Sequence, residues 1–183
     1  EKCMSMVRRL HQSGITVAHS FDIRERISFY EKLCRSHGAL LFEDYEEVKG
    51  WMDWLMDTLD SMERPKCLCH IDANVDNFLF FEDGSVKLLD WEYAGMCDPV
   101  MDVSMCAIYS YYKEEDMERL FRLYLRREPS EDELFALYAN AALGGFLWCL
   151  WAVYKSILGD EFGEYTIIMY RYAKKYYRKL RKL

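Results

Sequence analysis

The stretch Cys69-His70-Ile71-Asp72-Ala73-Asn74-Val75-Asp76-Asn77, continued by Phe78-Leu79-Phe80-Phe81, Glu82-Asp83-Gly84-Ser85 and Val86-Lys87-Leu88-Leu89-Asp90-Trp91-Glu92-Tyr93, decides how this chain is read. Two apolar runs flank a polar turn containing Gly84, which is the pattern of a β-hairpin. The two ends of a hairpin meet. Asn77, entering the first strand, and Asp90, leaving the second, are therefore expected side by side. A strand-like run from Lys66 to Cys69 delivers His70 and Asp72 into the short polar loop ahead of the hairpin.

An amide oxygen and a carboxylate held together suit magnesium, which takes hard oxygen ligands and keeps several positions for water and phosphates. The pattern H-x-D-x-x-x-x-N belongs to phosphoryl transfer: its Asp accepts the proton of the attacking hydroxyl and its Asn holds a magnesium ion. A second Asp roughly a dozen residues on holds the metal that bridges the nucleotide phosphates. Asp72, Asn77 and Asp90 fall into these three slots, with ATP and Mg2+ as the implied co-substrate and cofactor. A lone Asp or Asn in a loop usually makes only an Asx-turn. Three at matched spacing on one hairpin favour catalysis. His70 is expected to brace the loop by hydrogen bonds, and Asn74 and Asp76 to be solvated loop groups.

Residues 66–104 resemble the catalytic and metal loops of the choline/ethanolamine kinase family, within the aminoglycoside phosphotransferase and protein-kinase-like superfamily. The run Leu89-Asp90-Trp91-Glu92-Tyr93-Ala94-Gly95, then Asp98-Pro99 and Asp102, looks like that of the bacterial choline kinases, and Phe146-Leu147-Trp148-Cys149-Leu150-Trp151 looks like a pocket helix of the same family. A looser likeness begins at Leu10-His11 and Phe21-Asp22. The resemblance implies Asp72 as base, Asn77 and Asp90 as metal ligands, and Asp102 as a buried aspartate steadying the loop. It also implies Trp148 and Trp151 as aromatic faces near a substrate's ammonium group. After Asp102, Ala107-Ile108-Tyr109-Ser110-Tyr111-Tyr112 has no clean counterpart of the acidic and aromatic substrate positions of the animal enzymes.

Chemistry also supports a cationic substrate. A quaternary ammonium such as choline donates no hydrogen bond and is best held by aromatic faces. Trp148 and Trp151 are three apart on one helical face, with Tyr154 continuing the stripe; Trp91 and Tyr93 flank the metal loop, and Glu92 either adds negative charge to a pocket or simply faces water. An aromatic stripe at helical spacing is otherwise simply core. The formal net charge of −7 disfavours nonspecific nucleic-acid binding and suits a cation.

With 183 residues, 51% hydrophobic and 30% charged, the chain is expected to be one folded domain, 1–183. Seven scattered cysteines read as reduced thiols of a cytoplasmic protein. Cys67, Cys69 and His70 are not expected to bind zinc, because alternate strand residues point to opposite faces. No apolar run approaches the ~20 residues that span a bilayer, so no stable membrane insertion is expected, and no signal peptide is visible.

The fold expected is α+β and predominantly helical, the C-terminal lobe of a protein-kinase-like fold with a small hairpin. Helices are expected over residues 2–12 with Met4, Val7 and Leu10 inward, over 22–36 with Asp22 as N-cap, and over 44–62 with Val48, Trp51, Trp54, Leu55 and Leu59 on one face. Others follow near 98–111, 114–126, 131–158 and 161–180. Ser130 with Glu133 signals a capping box, and Gly144-Gly145 a close contact or a kink. The basic run from Lys174 to Lys182 is expected to face solvent and complement the helix dipole. No Gly-rich loop or strand-borne Lys for the nucleotide phosphates precedes Glu1. The chain is therefore expected to be the larger lobe of a longer kinase, inactive or weakly active alone. An aminoglycoside or other amino-alcohol kinase, or a binding module that only keeps kinase architecture, are the rival readings; the oligomeric state is left open.

Overall fold

The computed structural model describes residues 1–39 and 42–182. Among them are seven α-helices, a 3-10 turn and four short strands. They form two compact units, Glu1–Phe21 with Arg64–Asn140, and Asp22–Glu63 with Ala141–Leu183.

The first unit opens with α1, Lys2–His11, which buries Met4, Val7 and Leu10 as its periodicity requires. Strand β1, Cys67–Cys69, leads into the loop His70–Asn74 and the 3-10 turn Val75–Asn77. Strands β2, Phe78–Phe80, and β3, Val86–Leu88, pair antiparallel with Phe78 opposite Leu88, which is the expected hairpin. A second ladder was not expected: β4, Gly95–Cys97, pairs antiparallel with β1, Cys67 opposite Cys97. Its outer side is bridged by the segment around Ser20, with Phe21 N–H bonded to Met96 C=O and Met96 N–H to His19 C=O, each at 3.1 Å. Gly95 is required there, since a Cβ would lie 2.8 Å from the Phe21 nitrogen.

Helix α4, Val100–Tyr109, is buried from Val100 through Ile108. Asp98 fixes its start, accepting from the Val100 N–H at 2.9 Å and holding the Arg64 guanidinium through both oxygens at 2.8 and 3.2 Å. Helix α5, Glu114–Leu125, buries Met117, Leu120 and Phe121 and packs on α1 and α4.

Helix α6, Glu131–Ile157, runs from the first unit into the second. Its capping box forms as predicted: Ser130 N–H donates to Glu133 Oε2 at 2.8 Å, and Glu133 N–H to Ser130 Oγ at 3.2 Å. Residues 136–150 are buried without a break. One expectation is corrected here. By length and composition α6 is apolar enough to cross a membrane, yet most of that apolar window is buried within the protein. A helix apolar on every side is equally what a central core position demands.

The second unit holds α2, Ile23–Ser36, capped by Asp22 accepting from the N–H groups of Arg24 and Glu25, and α3, Tyr45–Ser61. It also holds the rest of α6 and α7, Tyr165–Leu180. Gly145 lets α6 meet α7: a Cβ there would lie 2.6 Å from the Met169 carbonyl oxygen and 2.9 Å from Tyr172 Cβ. The buried face of α3 is Tyr45, Val48, Met52, Leu55 and Met56, so Trp51 and Trp54 lie at its margin rather than inside. Trp51 stacks on Tyr177 at 4.6 Å, with the Arg178 guanidinium 5.5 Å from its ring centre, while Arg181 lies 5.1 Å from that of Trp54. Part of the basic run thus covers aromatic faces rather than only facing water, as cation–π attraction favours.

Candidate active site

The loop after β1 is held from below by Asp102, which is fully buried on the first turn of α4. Its Oδ1 accepts from Ile71 N–H at 2.6 Å, and its Oδ2 from His70 N–H at 2.8 Å and from His11 Nε2 at 2.9 Å. His11 Nδ1 meets the Tyr124 hydroxyl at 2.8 Å. Ile71 sits at φ 72°, a costly conformation for a β-branched residue. Strain of about 1–3 kcal/mol persists only where the surroundings over-determine it. Here Asp102 binds the amides at and before the strained residue, which points the chain from buried β1 out to Asp72.

His70 ties the loop to the end of the hairpin. Its Nε2 lies 2.7 Å from the Leu89 carbonyl oxygen, which can only accept, so that nitrogen carries the proton. Trp91 packs edge-on against the imidazole at 4.8 Å and donates Nε1–H to Leu88 C=O at 3.0 Å.

Asp72 and Asn77 meet directly. The Asn77 amide nitrogen donates to the Asp72 carboxylate and to the Asp72 main-chain carbonyl, each at 2.9 Å. The Asn77 side-chain oxygen, Oδ1, accepts no hydrogen bond from a described residue. The main chain of Asn77 accepts from Leu89 N–H at 2.9 Å, continuing the hairpin by one rung, and Asp90 is the next residue. Asp90 takes a left-handed conformation, φ 61°, which a short polar side chain tolerates. Asp90 is exposed, whereas Asp72 and Asn77 are half-buried. Asn74 Oδ1 accepts from Asp76 N–H across the 3-10 turn, and Asp76 is exposed, so both are turn residues.

Trp91 and Glu92 are exposed and Tyr93 is half-buried on the connection from β3 to β4. Trp148 and Trp151 belong to the second unit. Trp148 is 4% exposed, Trp151 is half-buried, and the rings meet edge to face at 5.9 Å. Trp151 also meets Phe162 at 5.0 Å, and Lys155 Nζ lies 5.9 Å from its ring centre.

His11 and Tyr124 are the site-supporting residues that sequence reasoning did not single out as such. The one sequence signal was the loose likeness at Leu10-His11; contact across 91 residues leaves no trace in local spacing.

Protein LicA of Haemophilus influenzae is 25% identical over 180 residues, covering 91% of this chain and 52% of that protein. Ethanolamine kinase 1 of Mus musculus is 26% identical over 151 residues, covering 67% and 42%. The chain thus spans about half the length of these curated relatives. The crystal structure of choline kinase LicA from Streptococcus pneumoniae matches with a TM-score of 0.84 at 27% identity, covering 97% of this chain and 62% of that one. A structure of LicA in complex with AMP matches at 0.85 and 26%, covering 98% and 61%. The fold, predominantly helical, matches the C-terminal lobe of these kinase-like structures. A sequence profile of the APH phosphotransferase enzyme family matches residues 1–181, and the chain belongs to that family.

Proposed function

We propose that this chain is the catalytic lobe of an ATP-dependent kinase that phosphorylates the hydroxyl of choline or ethanolamine. The observation that carries the reading is the bonded pair Asp72–Asn77, joined through the hairpin rung Asn77–Leu89 to Asp90. Asp72 Oδ2 is engaged by Asn77, which leaves Oδ1 to orient the alcohol and take its proton as the oxygen attacks the γ-phosphorus.

The donors present fit a magnesium ion: Asn77 Oδ1 and the exposed Asp90 carboxylate are hard oxygens without a described protein partner, and they would hold it. When bound, the ion neutralises charge on the β- and γ-phosphates of ATP. Asp102, His70 and His11 keep the loop rigid so that little reorganisation accompanies the transfer. Support for a cationic substrate comes from Trp151, whose ring already attracts the Lys155 ammonium. Trp148 in the same unit, and Trp91, Tyr93 and Glu92 in the first unit, are each further candidates for substrate contact. The seven free thiols suit a reducing, cytoplasmic setting.

The test uses the full-length protein and a coupled ADP-release assay with choline, ethanolamine and aminoglycosides in parallel. Asp72→Ala is expected to keep choline affinity while turnover falls by about 10²–10⁴. Near-wild-type turnover would remove Asp72 as the base, and preference for aminoglycosides would overturn the choline reading.

A further inference from the structure

We infer that His11, Cys67 and Cys69 form a binding site for a soft divalent metal ion, with zinc as the best geometric match, directly behind the catalytic loop. One ligand atom from each lies within 4.8 Å of the others. The thiols of Cys67 and Cys69 are 3.8 Å apart. Two thiolates on one tetrahedral zinc, at Zn–S of about 2.3 Å, stand about 3.8 Å apart, and a thiolate and an imidazole nitrogen about 3.6 Å. The groups need to close by only about 1 Å to reach that geometry.

The strand supplies the thiol pair. Residues two apart on β1 share a face, so Cys67 and Cys69 project together while His70 turns the other way to reach Leu89. From the sequence, Cys67, Cys69 and His70 are not expected to form a zinc site; the imidazole that stands with the two thiols is instead that of His11, from α1 and remote in sequence. Cys69 is fully buried and the His11 side chain nearly so, whereas Cys67 is half-buried and gives an ion its way in.

The surroundings of His11 match those of a ligating histidine. One ring nitrogen, Nε2, is committed to the Asp102 carboxylate, the partner that fixes tautomer and ring orientation in carboxylate–histidine–metal arrangements. The other nitrogen, Nδ1, now meets the Tyr124 hydroxyl, a neutral group that an ion displaces. On binding, Cys67 and Cys69 each lose their proton to solvent, the metal gains two thiolates and one neutral nitrogen, and water completes the fourth position. Because Asp102 also holds the amides of His70 and Ile71, an ion here locks the imidazole that supports that loop.

The site is tested in the full-length protein, reduced and stripped of metal, by titration with Cd2+ followed by near-ultraviolet thiolate-to-metal absorption, proton release and competition by Zn2+. The expected result is a saturable 1:1 band at micromolar metal, two protons released per ion, and displacement by Zn2+. Cys67→Ser, at the half-buried position, is expected to weaken binding at least about tenfold and to reduce the band to that of one thiolate. His11→Gln is expected to weaken binding with the two-thiolate band retained. Cys97→Ser, opposite Cys67 on the neighbouring strand, is expected to bind as wild type. Absence of a band at micromolar metal, an undiminished band in Cys67→Ser, or loss of the band in Cys97→Ser overturns the assignment. Circular dichroism of each variant confirms that a lost band reflects a lost ligand.

Discussion

Removing the carboxylate of Asp102 is expected to loosen the loop His70–Asn74 more than any other single change near it. Three donors converge on this buried side chain, two main-chain N–H groups and one imidazole N–H. Each buried donor left without an acceptor costs about 1–3 kcal/mol, so Asp102→Ala is expected to destabilise by roughly 3–9 kcal/mol. That is a large share of the ~5–15 kcal/mol that holds a domain folded. Asp102→Asn grades the effect. With its oxygen toward His70 and His11 it keeps two of the three bonds and sets its NH2 against Ile71 N–H, costing about 1–3 kcal/mol. Urea unfolding measures the global loss, and amide hydrogen exchange locates it. In Asp102→Asn the Ile71 amide is expected to exchange at least about tenfold faster, the equivalent of 1.4 kcal/mol, while amides in the middle of α4 change less. Unchanged protection at Ile71, or unfolding of Asp102→Asn within about 0.5 kcal/mol of wild type, would refute this account of how the loop is held.

Glycine positions on two helices should respond in opposite directions. Gly145→Ala forces a Cβ against the Met169 carbonyl and is expected to cost about 1–3 kcal/mol from overpacking, outweighing a propensity gain of at most about 1 kcal/mol. Gly50→Ala, in α3 with nothing within 4 Å of the added atom, is expected to stabilise by about 0.5–1 kcal/mol. Thermal unfolding of the two variants decides this, and a higher melting temperature for Gly145→Ala would contradict the close contact. The capping box of α6 carries a pH signature. Arg127, then the N–H and hydroxyl of Ser130, hold the Glu133 carboxyl below its usual 4.5, at about 2. A depressed carboxyl contributes fully above pH 4.5 and loses its contribution as pH falls from 4.5 toward 2. Glu133→Gln is expected to flatten that part of the acid limb, and an unchanged pH profile would argue against the box.

Local patterns were legible because each is settled within a few residues. Asp22 announced α2, Ser130 with Glu133 announced α6, and the hairpin followed from two apolar runs around a polar turn. The pairing of Asp72 with Asn77 was accessible in the same way, since both lie on one short stretch, and the hairpin brings the main chain of Leu89 back to Asn77. The β1–β4 ladder was not, because three-residue strands far apart in the chain carry no distinguishing periodicity. The face that carries Trp51 and Trp54 was read from the sequence, and both rings meet Tyr177 of α7, but how far they are covered was not. A helical face specifies which residues point inward, but whether a margin residue is covered depends on the rings and guanidinium groups of another helix.

The amino-acid order alone determined the helical class, the hairpin and the placement of Asp72, Asn77 and Asp90 around it, since propensity, capping and alternation act over a few residues. Only the tertiary structure decided that Asp102 gathers His11, His70 and Ile71, and that His11 stands beside the thiols of Cys67 and Cys69. Those groups are brought together by packing between α1, β1, α4 and α5, and the spacing of residues along a chain does not encode which buried faces will meet.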